Sequence, residues 1–191
     1  MVPSAYGKTC NDCNKKSSVS GIFVRGWYDA WLWRPLIRAW KYQPALQLSK
    51  LLGYFFEEIF TLLPPILVDP VIVPVPLSRR RRRARGFNQA EDLAKFLAAY
   101  FHSSVFSVLQ RTRHTKPQAG LGAKARLRNV RGVFVYTGTE SITGRDCILV
   151  DDIVTTGATV EEAARVLIAS GAASVWVAAL ARSYAGLRKA Q

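Results

Sequence analysis

Two adjacent acidic residues, Asp151 and Asp152, stand at the end of a short apolar run, Ile148–Val150. Their carboxylates repel phosphate, but they can accept hydrogen bonds from vicinal hydroxyls or help to hold a divalent cation. A turn of small and hydroxyl-bearing residues follows, formed by Thr155, Thr156, Gly157, Ala158 and Thr159. Such a turn offers backbone N–H groups at the positive end of a helix, where a phosphate monoester binds without any lysine. Together the two features predict a site for a ribose 5-phosphate.

The helix after this turn is predicted to begin at Thr159, because Thr159 and Glu162 have the spacing of a capping box. Its apolar pattern continues to Ser170. Taken alone, the same residues also fit an ordinary strand, turn and helix in which the two aspartates are turn residues.

Short apolar runs that alternate with helical patterns make up most of the rest of the chain. Strands are predicted at Val71–Val75, Val105–Leu109, Val133–Tyr136, Cys147–Val150 and Val175–Leu180. Helices are predicted over Gln89–Tyr100 and Thr159–Ser170. This alternation indicates a parallel sheet covered by helices, and ligands of such sheets bind beyond the carboxyl ends of the strands. We expect the acidic pair at that edge.

The first part of the chain has a different character. Roughly the first twenty residues are polar and are expected to be loosely ordered, and the segment from Trp27 to Phe60 predicts two amphipathic helices. Four of the five tryptophans lie around the first of these helices, where we expect them to pack against the main domain. We therefore divide the chain into a helical appendage, residues 1–64, and a main domain, residues 65–191.

Positive charge is concentrated in two segments of a chain whose net charge is +14. Arg79–Arg85 contains six arginines in seven residues, and Gln110–Arg131 contains seven basic residues and no acidic one. We expect each segment to belong to a loop, and such a run is often only a solvated surface. Six neighbouring like charges repel one another, however, and a bound anion would offset that repulsion.

The chain contains three cysteines, too few for a disulfide framework. Cys10 and Cys13 form a C-x-x-C pair, but the two histidines, His102 and His114, lie far downstream. Because a structural zinc site needs four ligands, we expect a half-site or two idle cysteines rather than bound zinc. Cys147 precedes an apolar run and is predicted to be a buried thiol.

The most apolar stretch of the chain, Leu51–Val68, is interrupted by Glu57, Glu58, Pro64 and Pro65. A membrane-spanning helix needs roughly 20 mostly apolar residues, so no such helix is predicted. The N-terminus also lacks the pattern of a signal peptide. We expect a soluble cytoplasmic protein.

The run Ile148–Thr159 resembles the phosphoribosyl-diphosphate (PRPP) motif of type I phosphoribosyltransferases. Further segments resemble the ComF branch of that superfamily: Leu36–Tyr42, Val73–Leu77, Arg85–Gln89, Arg111–Gln118, Arg126–Val130 and Gly132–Phe134. ComF-like proteins usually begin with two C-x-x-C pairs that form a zinc knuckle. Only Cys10 and Cys13 are present here, so zinc binding is not carried over.

The resemblance implies an α/β structure with the type I phosphoribosyltransferase fold. This fold has about five strands in a mostly parallel sheet flanked by helices, here preceded by the small helical appendage. The resemblance also implies that Asp151 and Asp152 are the catalytic acids that meet the ribose hydroxyls. Mg²⁺ is then expected to bind together with PRPP, and the turn after the acids is expected to wrap the 5-phosphate.

Two loops are implied to contact the rest of PRPP. In the loop after the first strand of the main domain, Ser78–Asn88, we expect Arg85 and the backbone of Gly86 to bind the diphosphate. In the basic loop over residues 110–131, Lys124 and Arg126 are expected to close over the site and exclude water.

Two functions stay open. The first is a ComF-like protein that binds PRPP and takes part in DNA uptake, natural competence or other nucleic-acid handling, because ComF relatives are associated with competence. The second is an active phosphoribosyltransferase in nucleobase salvage or nucleotide metabolism, although the sequence marks no acceptor pocket. The candidates for contacts with single-stranded DNA are Arg80, Arg81, Arg82 and Arg83. Binding to a membrane surface is a weaker third hypothesis, and this fold often forms homodimers.

Overall fold

The computed structural model of this 191-residue chain describes residues 17–42, 46–60, 67, 69–113 and 129–183. Its elements in chain order are β1 (Gly21–Trp27), α1 (Trp33–Tyr42), α2 (Leu46–Glu57), β2 (Val71–Pro74), α3 (Arg79–Arg85), α4 (Gln89–Tyr100), β3 (Leu109–Arg111), β4 (Phe134–Tyr136), β5 (Asp146–Val154), α5 (Ala158–Ala169) and β6 (Ser174–Arg182). Within these ranges no helix has the length and apolar character needed to cross a bilayer.

Four strands form a parallel sheet in the order β1–β6–β5–β2, with the two longest strands at its centre. β5 and β6 pair over nine residues each. Strands that are buried on both faces read as continuous apolar runs, which is why β2, β5 and β6 were predictable. The predicted architecture, a parallel sheet flanked by helices, is confirmed.

Helices cover both faces of this sheet, because successive residues of a strand point to opposite sides. In β5, Ile148 belongs to the buried cluster that contains Trp40 of α1 and Leu93 of α4, whereas Leu149 belongs to the cluster that contains Leu167 of α5. The two predicted amphipathic helices are confirmed as α1 and α2. They lie on the same face as α4.

The N-terminal part of the chain contributes a strand that the sequence analysis did not predict. β1 pairs in parallel with β6, so residues before 65 form one edge of the main sheet. Residues 24–27 of β1 are half-buried or exposed and include Arg25, so the apolar pattern of this strand is weak in the sequence. Trp33 and Trp40 are buried as expected, but Trp31 is 86% exposed and does not pack against the main domain.

Two predicted strands lie outside the parallel sheet. β3 and β4 pair antiparallel with each other in a separate two-stranded sheet, and Val105 forms only an isolated bridge to Ile72 of β2. The predicted strand Val105–Leu109 is therefore replaced by Leu109–Arg111. Apolar periodicity identifies short strands poorly and does not identify their partners.

Candidate functional site

The carboxyl end of β5 carries the acidic pair to the edge of the sheet predicted for a ligand. β5 continues through both acids to Val154, beyond its predicted end, and Asp151 pairs with Ala179 of β6. The pairing continues because β6 stays apolar as far as Ala181. The backbone N–H of Asp152 donates to Asp151 Oδ1 at 2.8 Å, which fixes the orientation of that carboxylate.

Asp152 forms an ion pair with Lys41 in the last turn of α1. Lys41 Nζ lies 2.6 Å from Asp152 Oδ2, and the exposed fractions of the two side chains are 17% and 14%. Burial, and secondly the charge of Asp152, raise the pKa of Asp151 to about 7, while Lys41 and Arg111 oppose this rise. The pair therefore contains one acid held by a lysine and one acid that titrates near neutral pH.

A buried arginine, Arg111 at the end of β3, lies within electrostatic reach of the acidic pair. It is 8% exposed, and its guanidinium carbon lies 5.5 Å from the centre of the Phe134 ring. Burial, and secondly the charge of Arg81, lower the pKa of Arg111 to about 10, with a smaller effect of Arg113 in the same direction and an opposing effect of Asp151. The site thus combines acids of β5 with cations of α1 and β3.

Neither Lys41 nor Arg111 was predicted as a site residue. Both lie in segments that resemble the ComF branch, Leu36–Tyr42 and Arg111–Gln118, and that resemblance is the one signal in the sequence that could have identified them. Their roles depend on contacts with β5, which is far away in the sequence.

The residues between β5 and α5 form the predicted phosphate-binding turn. Gly157 is the N-cap of α5, and its φ of 81° lies in the left-handed region that glycine adopts without strain. Because Gly157 has no side chain, it makes no capping hydrogen bond to the first turn of α5. Thr156 Oγ1 is buried without a hydrogen-bond partner among the described residues. The turn therefore has donor groups at a helix start, where an anion binds favourably.

The capping box predicted for Thr159 and Glu162 is wrong, because α5 begins one residue earlier, at Ala158. Glu162 does not reach back to the helix start. It accepts hydrogen bonds from the backbone N–H of Gly132 at 2.8 Å and from Arg165 Nη2 at 2.8 Å. Glu162 thus fixes the chain before β4 against α5.

The arginine run forms the helix α3 rather than the predicted loop, Ser78–Asn88. Ser78 is the N-cap and accepts a hydrogen bond from the N–H of Arg81 at 3.4 Å, and the helix ends at Gly86, whose φ is 80°. Arginine has a high helix propensity. With a serine at one end and a glycine at the other, the run forms a short helix despite its like charges.

The two sides of α3 differ in exposure. Arg81 and Arg85, one helical turn apart, are half-buried, whereas four other arginines are exposed: Arg79, Arg80, Arg82 and Arg83. Arg85 donates to Gln89 Oε1 at 3.0 Å, and its guanidinium carbon lies 5.8 Å from the centre of the Tyr42 ring. Arg81 is close enough to Arg111 to lower its pKa. Of the residues predicted to contact DNA, Arg81 is therefore oriented differently from the rest.

Some predicted site residues lie outside the described part of the chain. They are Cys10, Cys13, Lys124 and Arg126. The absence of zinc and the closing role of the basic loop therefore stay predictions.

Mg²⁺ fits the acidic pair by its chemistry. Mg²⁺ prefers hard oxygen ligands and is usually held by one or two carboxylates together with water and the oxygens of a bound phosphate. Asp151 and Asp152 supply such carboxylates. Within the described residues no cluster of three or more metal-ligating side chains occurs, so the remaining ligands would come from the bound molecule and water.

Comparison with known proteins identifies the family. The phosphoribosyl transferase domain family matches residues 85–190, which include the acidic pair and the turn. The DNA utilization protein YhgH of Escherichia coli (strain K12) is 42% identical over 113 residues, which cover 59% of this chain and 49% of that protein. Competence protein F of Haemophilus influenzae is 29% identical over 184 residues, which cover 93% of this chain and 80% of that protein.

A solved structure of a hypoxanthine phosphoribosyltransferase from Staphylococcus aureus is 15% identical and has a TM-score of 0.44, with 70% of this chain and 64% of that one covered. The chain spans about half the length of the first of these relatives, the E. coli protein. The family match covers more than half of the chain and includes β5, the turn and α5. The resemblance seen in the sequence is confirmed: the chain belongs to the phosphoribosyl transferase domain family, with the type I phosphoribosyltransferase fold, and to its ComF branch.

Proposed function

We propose that this chain binds PRPP at the carboxyl edge of β5. One observation carries the proposal: the Thr156 hydroxyl is buried without a hydrogen-bond partner among the described residues, beside the start of α5. Such a group is costly to bury. A phosphate oxygen would accept its hydrogen bond and those of the nearby backbone N–H groups. Asp151 and Asp152 lie at the same edge, where they would accept hydrogen bonds from ribose hydroxyls.

Calorimetric titration with PRPP and Mg²⁺ tests this proposal. Thr156→Val keeps the shape of the side chain and removes the hydroxyl. We expect it to weaken PRPP binding at least roughly tenfold, because a hydrogen bond to a charged group contributes about 1.5–3 kcal/mol. Thr143→Val, in an exposed turn, is the matched control and should bind like wild type. Equal affinities of Thr156→Val and wild type would contradict phosphate binding in this turn.

We propose further that the protein handles single-stranded DNA during DNA uptake. Two relatives are named as a DNA utilization protein and a competence protein. Three exposed arginines of α3 support a contact with DNA, since they form no ion pair with any described residue: Arg79, Arg80 and Arg83. Arg82, in contrast, pairs with Glu91 of α4. Uncompensated arginines attract the phosphates of a nucleic-acid backbone.

The salt dependence of DNA binding tests this second proposal, with fluorescence anisotropy of a labelled oligodeoxythymidine as the measurement. The test variant has glutamine in place of Arg79, Arg80 and Arg83. The control has glutamine in place of three exposed basic residues of α1 and α2: Arg34, Arg38 and Lys50. Each phosphate contact contributes about 0.7 to the slope of log affinity against log salt. The test variant should lose about two units of slope, and an equal loss in the control would contradict a DNA site on α3.

The alternative is an active phosphoribosyltransferase in nucleobase salvage or nucleotide metabolism. It is favoured by Arg111, whose charge acts on Asp151, and by Arg81, whose charge acts on Arg111, because such cations would neutralise a departing diphosphate. A panel of purine and pyrimidine bases, incubated with PRPP and Mg²⁺, tests for release of diphosphate. Release that is lost in Asp151→Asn would establish transfer. PRPP binding without release for any base would favour the DNA-handling function.

A further inference from the structure

The ion pair between Lys41 and Asp152 joins the N-terminal helices to the acidic pair. Both side chains are mostly buried, and Lys41 Nζ lies 2.6 Å from Asp152 Oδ2. Arg38, one turn earlier on α1, is exposed. Lys41 is therefore the basic residue of this helix that is directed into the edge of the sheet.

The last turn of α1 is held firmly in this position. Trp40 is fully buried, its Nε1–H donates to Ser49 Oγ at 2.9 Å, and its ring centre lies 6.1 Å from that of Phe87. On the other side of Lys41, the Tyr42 ring contacts the guanidinium of Arg85. Packing on both sides thus fixes the backbone of Lys41 and leaves its ammonium group directed at Asp152.

A buried ion pair is weak evidence for a role in stability, because the cost of removing both charges from water offsets their attraction. Two adjacent carboxylates also repel each other, and a nearby cation offsets that repulsion. Lys41 supplies a positive charge at this place from the protein itself.

We propose that Lys41 is the resident cation of the ribose-binding acids and lets them bind ribose hydroxyls without a divalent ion. The proposal rests on the proposed function, in which this edge binds a ribose 5-phosphate. The ion pair with Lys41 holds the Asp152 carboxylate in place, so that its second oxygen and the carboxylate of Asp151 can accept hydrogen bonds. It is a positioning residue, and Mg²⁺ is then needed only for the diphosphate of PRPP.

Calorimetric titration of the full chain with ribose 5-phosphate, in EDTA and in Mg²⁺, tests this assignment. This probe has the hydroxyls and the 5-phosphate of PRPP but lacks the diphosphate that itself binds Mg²⁺. For the wild type and for the charge-matched control Arg38→Gln, the dissociation constant in EDTA should agree with that in Mg²⁺ within about threefold. A larger difference would correspond to the loss of at least one hydrogen bond. Lys41→Gln should bind roughly tenfold more weakly in EDTA, and Mg²⁺ should restore most of its affinity. Lys41→Arg should behave like wild type.

The possible outcomes separate this inference from the proposed function. If wild type binds ribose 5-phosphate only in Mg²⁺, or if Lys41→Gln binds in EDTA as tightly as wild type or more tightly, Lys41 is not the resident cation. If wild type binds neither ribose 5-phosphate nor PRPP under any condition, the proposed function itself is wrong. Binding by wild type that requires Mg²⁺ overturns the assignment even if Lys41→Gln fails to fold, which circular dichroism would reveal.

Discussion

The ionisation of Asp151 should make the affinity for ribose 5-phosphate depend on pH. Burial and the charge of Asp152 raise its pKa to about 7. The ionised fraction of Asp151 therefore rises from about a tenth at pH 6 to about nine-tenths at pH 8. The carboxylate accepts hydrogen bonds from hydroxyls with both oxygens, whereas the protonated form has a reduced acceptor capacity. We expect the contribution of Asp151 to ribose 5-phosphate binding to be roughly tenfold greater at pH 8 than at pH 6.

The phosphate of the ligand also titrates near pH 6, so Asp151→Asn serves as the reference. The quantity to measure by calorimetry is the dissociation constant of Asp151→Asn divided by that of wild type, across the neutral pH range. This ratio should increase roughly tenfold from pH 6 to pH 8, with a midpoint near the pKa of Asp151.

The variant Lys41→Gln provides an internal check, because Lys41 lowers the pKa of Asp151. Its removal should move the midpoint of the pH dependence to higher pH. A ratio that does not change with pH would contradict a raised pKa of Asp151. A midpoint near pH 4, the ordinary pKa of an aspartate, would refute it as well.

Three further predictions concern stability and reactivity. In urea unfolding at pH 8, Asp151→Asn should have a free energy of unfolding on the order of 1–3 kcal/mol greater than that of wild type. The difference should vanish near pH 4, because an acid whose pKa is raised in the folded state destabilises the protein only as the pH rises above its unfolded-state pKa. Gly157→Ala and Gly144→Ala should each cost about 1 kcal/mol in urea unfolding, since both glycines have positive φ and an added Cβ meets no described atom within 4 Å. Only Gly157→Ala should also weaken ribose 5-phosphate binding. Cys147, whose pKa burial raises to about 12, should resist iodoacetamide at pH 8 until the protein unfolds, as peptide mass spectrometry can test.

The sequence predicted the elements whose signal is local. The apolar runs of β2 and β6 and the helical pattern of Gln89–Tyr100 are observed where they were predicted. β5 was predicted to end at Val150 because two acids follow, yet it continues to Val154, since the pairing with β6 outweighs the polarity of those acids. Cys147 is buried as predicted.

Features that depend on distant contacts could not be predicted in the same way. The ion pair between Lys41 and Asp152 joins opposite parts of the chain, and no local pattern indicates it. Glu162 has the spacing of a capping box, but its carboxylate binds Gly132 instead. The helix α3 is an exception, because Ser78 and Gly86 are local capping signals that the concentration of arginines obscured.

The charges at the carboxyl edge of the sheet suit a ligand that combines a sugar with phosphates. The acids Asp151 and Asp152 are balanced by Lys41 and Arg111, so the region where hydroxyls would bind is close to neutral when all four groups are ionised. A site built only for a metal ion would keep the negative charge of its acids uncompensated. The start of α5 presents the Thr156 hydroxyl, which has no hydrogen-bond partner in the described part of the chain, and Arg81 of α3 adds positive charge near Arg111. A ligand that carries both hydroxyls and phosphates matches these groups, whereas an uncharged nucleoside would leave the positive charges without a partner.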